Sequence, residues 1–124
     1  VEAMNQDCPE AMLLLGKVYL VKKDTDSARS MYQQALQKEE QKAQAYNGLA
    51  LCDIAEENYD SALDNIQKGL DQEGADKQPL LFNEIVVYEH KLDFATAKEK
   101  MEAYLALYPD DEAAQREAQF LESR

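Results

Sequence analysis

His90 is the sole histidine of this 124-residue chain, so any imidazole chemistry would have to start there. It ends the run Val86-Val87-Tyr88-Glu89-His90, which reads as the last turn of a helix. The helix dipole favours a cation at that end, and a surface role is expected for it. The thiols are Cys8 and Cys52. With one histidine and two separated cysteines, no zinc site of ordinary spacing can be written. Two thiols on different candidate helices read as free and buried rather than as a disulfide framework. Asp24-Thr25-Asp26-Ser27 opens like a calcium loop but lacks the glycine and the distal glutamate, because Ala35 stands in that place. It reads as a helix cap, and Asp110-Asp111-Glu112 reads as a helix start. Four glycines in the whole chain leave no phosphate-cradling loop. Carboxylate pairs are plentiful, but 25 acidic residues produce such pairs on solvated faces without any catalytic purpose. The expectation is no enzyme, no catalytic residue, no metal and no cofactor.

What the residues do specify is a set of helices. Leu13-Leu14-Leu15-Gly16-Lys17-Val18-Tyr19-Leu20 places a glycine inside an apolar helical run, at a cost of roughly 1 kcal/mol relative to alanine. The repeat structure of the chain explains it. Aligning Ala28 with Ala62 brings Met12 over Tyr46, Leu15 over Leu49, Gly16 over Ala50, Tyr32 over Ile66 and Ala35 over Gly69. A third copy, one residue longer, sets Ala97, Met101 and Tyr104 under Ala62, Ile66 and Gly69. Each copy holds two helical periods separated by a polar break. Pro9 begins the first, where its missing N–H costs nothing. The second copy predicts helices near 42–56 and 59–71, and the third near 78–91 and 93–107, stopped by Pro109. Asp110 or Asp111 caps a last helix with Ala114, Ala118 and Leu121 on one face. Gly16 and Ala28 are expected to be the small residues where the first two helices meet, with Met12, Tyr19 and Tyr32 around them.

The 34-residue period and the pattern Met12, Leu15-Gly16, Tyr19, Ala28, Tyr32, Ala35 resemble the tetratricopeptide repeat. The resemblance covers residues 9–109, as three units at about 9–42, 43–77 and 78–109, with 110–124 as a C-terminal capping helix. It implies an all-α fold of antiparallel helix pairs stacked as a right-handed solenoid, with the first helix of each pair lining a concave groove. Residues 1–8 correspond to the tail of a preceding unit or to a disordered leader. Asp53 departs from the pattern, standing where the family has an aromatic. Glu84 and Ile85 replace the Leu-Gly pair in the third unit, which predicts looser packing or a shifted register there. The family's carboxylate-clamp pattern also fails to carry over. Its matching positions hold Leu13, Lys17, Gly48, Pro79 and Asn83, so Lys17 is the one basic residue among them.

The resemblance implies a module that binds a peptide or helix of another protein. The alternative is a structural section of a longer array, or a self-associating subunit. The expected groove residues are Leu13, Lys17 and Leu20, then Asn47, Leu51 and Ile54, then Phe82, Val86 and Glu89, a set more apolar than a solvated face requires. Net charge is −12, and it divides unevenly: −1 over residues 1–42, −6 over 43–77 and −5 over 78–124. Such a surface repels phosphate backbones and anionic lipid, so nucleic acid and direct membrane binding are not expected. Asp60, Asp64, Glu99 and Glu102 are expected on the outward face as a solubilising coat. A soluble protein is expected; its compartment is not fixed by the sequence, with the cytoplasm favoured and an exported or tethered fragment as the alternative.

Overall fold

Pro9 and the acidic Glu10 start the first helix, α1, which spans Pro9–Val21. The computed structural model describes residues 9–38, 41–74 and 76–124. Its further helices are α2 (Thr25–Ala35), α3 (Lys42–Ala55), α4 (Tyr59–Leu70), α5 (Gln78–His90), α6 (Phe94–Leu107) and α7 (Glu112–Glu122), and no strand occurs among the described residues. Every predicted helix agrees with these bounds to within a residue or so. The expectations for residues 1–8, including Cys8, lie outside the described residues.

The same turn joins both helices in each of three pairs. Lys23, Glu57 and Leu92 adopt left-handed backbone, with φ of 65°, 63° and 63°. The next amide in each case reaches back five residues to the helix it has just left. Asp24 N–H donates to the Tyr19 carbonyl at 2.8 Å, Asn58 to Asp53 at 2.8 Å and Asp93 to Tyr88 at 2.9 Å. This closes the helix C-terminus in the usual left-handed way, although glycine would be the less strained residue there. Asp24 and Asp93 then cap α2 and α6, accepting from Ser27 N and Thr96 N at 3.2 Å each. A cap of this kind contributes about 1 kcal/mol. Asp24 is thus a cap residue, as its sequence context indicates.

The chain divides into two compact units, Val1–Ala75 and Asp76–Arg124. In the first, α1 packs on α2, α3 on α4, and α2 also on α3. Its core gathers Met12, Leu13, Ala28, Tyr32, Ala35, Ala45, Leu49 and Cys52. Tyr32 is the centre of that core, 1% exposed. Its ring lies against Gly16 of α1 and Gly48 of α3. A β-carbon on Gly16 would sit 2.6 Å from Tyr32 Cζ, and one on Gly48 would sit closer still to Cε1. This sharpens the expectation for Gly16: of the residues expected around it, the Tyr32 ring is the one that needs a residue without a side chain there. Gly48 does the same from the other helix.

In the second unit α6 packs on α5 and on α7. Ile85, Ala97, Met101, Tyr104, Ala114 and Leu121 form its core, with Phe82, Tyr88, Phe94 and Ala118 packed around them. Ile85, which occupies the place of Gly16, is fully buried. Its neighbour Glu84 is compensated across the pair by Lys100, whose ammonium lies 3.6 Å from Oε1. Asp111 caps α7 by accepting from Ala114 N at 3.1 Å. The Ala114, Ala118 and Leu121 face covers the core of this unit.

Candidate protein-binding surfaces

In the first unit the candidate residues separate by depth. Leu13 is 6% exposed and belongs to the core, so it presents no surface in this unit. Lys17 is exposed, whereas Leu20, Asn47, Leu51 and Ile54 are half-buried. Leu20 packs on the core's edge. The more exposed apolar positions on α1 are others: Leu14, Val18 and Val21, at 63%, 41% and 83%.

Beside them lies a polar network that the repeat pattern marks as a departure at Asp53. Asp53 is 2% exposed. Its Oδ1 accepts from Arg29 Nη1 of α2 at 3.1 Å. Its Oδ2 accepts from Ser61 Oγ at 2.9 Å and Asn65 Nδ2 at 2.8 Å, both on α4. Arg29 also reaches Glu56 through its second guanidinium nitrogen. A buried carboxylate is tolerated only when paired and hydrogen-bonded, and here each oxygen has its donor. The aromatic of the repeat pattern is thus replaced by an ionic tie between three helices. Cys52, next to it, is a buried free thiol pushed up to about 11 by its burial, which suppresses the thiolate and any nucleophilic role.

In the second unit Phe82, Val86 and Glu89 are all half-buried. Phe82 meets Tyr104 edge-on, centroids 5.6 Å apart at 69°, and Tyr104 touches Tyr108 at 5.0 Å. Phe82 and Tyr104 help line an open cleft of about 450 Å³, together with Asp76, Gln78, Pro79, Asn83, Asp111 and Ala113. Polar contacts fix its inner end. Tyr104 donates its hydroxyl to Asp111 Oδ2 at 2.5 Å, and Gln78 Nε2 donates to the same hydroxyl oxygen at 3.1 Å. The Tyr104 hydrogen bond and the Ala114 amide hold the Asp111 carboxyl below its ordinary range, so it stays ionised. Tyr104 is raised, chiefly by burial and then by Asp111, and remains a donor.

Glu89 of α5 faces Glu117 of α7. Its Oε2 is buried and receives no donor. Burial first, then hydrogen bonding to Glu117 and that residue's charge, push Glu89 up to about 8 from an ordinary 4.5. The folded state therefore keeps a proton that the unfolded chain releases between those two values. The contribution of Glu89 to stability is expected to fall as pH rises from about 4.5 to about 8, then level off. Thermal melts followed by circular dichroism across that range should show the decline. Glu89→Gln should flatten it and melt higher than the wild type at alkaline pH.

Among the described residues, no three histidine, cysteine or acidic side chains cluster as a metal site requires. None of their helices is long and apolar enough to cross a membrane. His90 is exposed at the C-terminal end of α5.

Residues 10–41, which hold α1, the first turn and α2, match the family model described as Tetratricopeptide repeat. The match is to this one helix pair, and with the all-helical, helix-pair architecture it supports the likeness to tetratricopeptide repeat proteins. Repeats of this kind are typically non-enzymatic and mediate contacts between proteins. No curated protein matches the chain.

Proposed function

We propose that this chain is a non-enzymatic interaction module that holds a peptide or helical segment of another protein against the first helices of its pairs. In this reading α1–α2, α3–α4 and α5–α6 are successive repeats over about 9–42, 43–77 and 78–109. The final helix, within 110–124, serves as their cap. The observation that carries the reading is the cleft of the second unit, an open concavity walled by Phe82 and Tyr104 and not filled by the chain's own side chains. A concave, largely apolar surface with a few placed polar groups is what a peptide side chain needs. In the first unit, taken by itself, Lys17, Leu20, Asn47, Leu51 and Ile54 supply half-buried or exposed positions on α1 and α3.

The test starts from a partner captured on the immobilised chain. Its affinity for the wild type is compared with that for Phe82→Ala, with the fold of the variant checked by circular dichroism. Loss of an aromatic anchor should weaken binding by about 2 kcal/mol, or roughly thirtyfold. A partner that binds a folded Phe82→Ala protein unchanged overturns the assignment. The scaffold alternative draws on a separate observation, the exposed Leu14, Val18 and Val21 stripe at helical spacing on α1. Association through that stripe would be insensitive to Phe82→Ala.

A further inference from the structure

We infer that the cleft of the second unit receives a basic side chain, an arginine or lysine with apolar neighbours, from the partner segment. This rests on the proposed function and names the chemistry of its ligand. Of the residues lining the cleft, Asp76 and Asp111 are charged, both negatively, and no cationic side chain lines it. Asp111 is fixed in its ionised form by Tyr104 and the α7 amide, so its charge is built into the wall. Asp76 accepts from Gln78 N through Oδ1 at 3.1 Å and is exposed. Phe82 and Tyr104, packed edge-on, line the same cleft as these carboxylates.

A carboxylate beside an aromatic ring suits a cation on an aliphatic stem. The ring attracts the charge through its quadrupole, the stem covers apolar wall, and the carboxylate takes the donors. Arginine fits best, because its planar guanidinium can stack and donate in one geometry. The charge sense is opposite to that of the family's carboxylate clamp. Two positions that match the clamp, Pro79 and Asn83, line this cleft without a positive charge. An acidic tail would meet like charge here, whereas a basic segment meets complementary charge.

The experiment titrates the isotopically labelled 124-residue chain with two blocked peptides, acetyl-Leu-Arg-Leu-amide and acetyl-Leu-Glu-Leu-amide, and follows backbone amide shifts. The arginine peptide should move the amides of Gln78, Phe82, Asn83 and Ala113 and saturate. The glutamate peptide should bind at least about tenfold more weakly, and added salt should narrow the difference. Asp76→Asn, which keeps an oxygen for Gln78 N, should weaken the arginine peptide by about threefold or more and leave the glutamate peptide no weaker. Equal binding of both peptides at these amides overturns the basic-ligand inference while leaving the cleft as a peptide site. Shifts confined to other surfaces, or no shifts with either peptide, overturn the cleft reading itself and the inference with it.

Discussion

Gly48→Leu is expected to be the most damaging single substitution in the first unit, lowering its stability by about 1–3 kcal/mol through overpacking, and toward the upper end of that range. A new β-carbon would overlap the ring of Tyr32, which is 1% exposed and held against Gly16 on the other helix. The ring shares one buried core with Met12, Leu13 and Ala45, which leaves it little room to move aside. Gly16→Leu should also destabilise, by somewhat less, since its added atom would stand slightly farther from the ring. Urea unfolding measures both. Combining Gly48→Leu with Tyr32→Ala should recover part of the loss, because the two residues compete for one volume and their effects cannot add. A Gly48→Leu protein with an unchanged midpoint would show that the ring is free to move.

The second large effect is expected at Asp53. Replacing it with alanine removes the acceptor for Arg29, Ser61 and Asn65 at once and strands the guanidinium of Arg29 in a half-buried position. Breaking a buried pair from one side commonly costs about 3–5 kcal/mol. Arg29 keeps Glu56 and a side chain 26% exposed to solvent, so about 2–3 kcal/mol is expected here. Asp53→Asn should cost less, because its amide oxygen still accepts from one of the α4 donors. Asp53→Ala combined with Arg29→Met should recover stability relative to Asp53→Ala, since it removes the unpaired charge. Urea unfolding of the four proteins decides it: equal stability of Asp53→Ala and the wild type would mean that the network contributes nothing.

Both sites show what kind of information the sequence carries. Asp53 was visible as an anomaly, an acidic residue at an aromatic position, but its partners were not. Arg29 is 24 residues away and Asn65 is 12 away, on two other helices. Gly16 is legible because glycine inside a helix needs a reason, and Tyr32 is among the residues expected around it, but that the ring itself claims the space is a matter of packing. Gly48 drew no attention as a packing residue, since it lies out of phase with Gly16. It answers to Tyr32 of the preceding pair, and only the packing of α2 on α3 brings them together. The signal that could have found it was another helix-interior glycine close to the expected path of an aromatic.

Helix positions, several capping residues and the class of fold followed from the sequence. Those depend on local hydrogen bonding and on a period that each segment carries in itself, so Asp24, Asp111 and Pro9 could be read where they stand. Even the left-handed residues Lys23, Glu57 and Leu92 recur at the spacing of the repeat, although none is the glycine that would have announced them. Tertiary structure decided which apolar stripe turned inward. In Leu13-Leu14-Leu15 three equal side chains follow one another, and helical geometry places them on different faces without saying which face has a neighbour. Packing buries Leu13 and leaves Leu14 63% exposed. It also set Glu89 against Glu117 and Tyr104 against Asp111, giving one carboxyl a proton to keep and the other a charge to hold. Burial and proximity are properties of assembled helices, and a helix cannot hold them before its neighbours are in place.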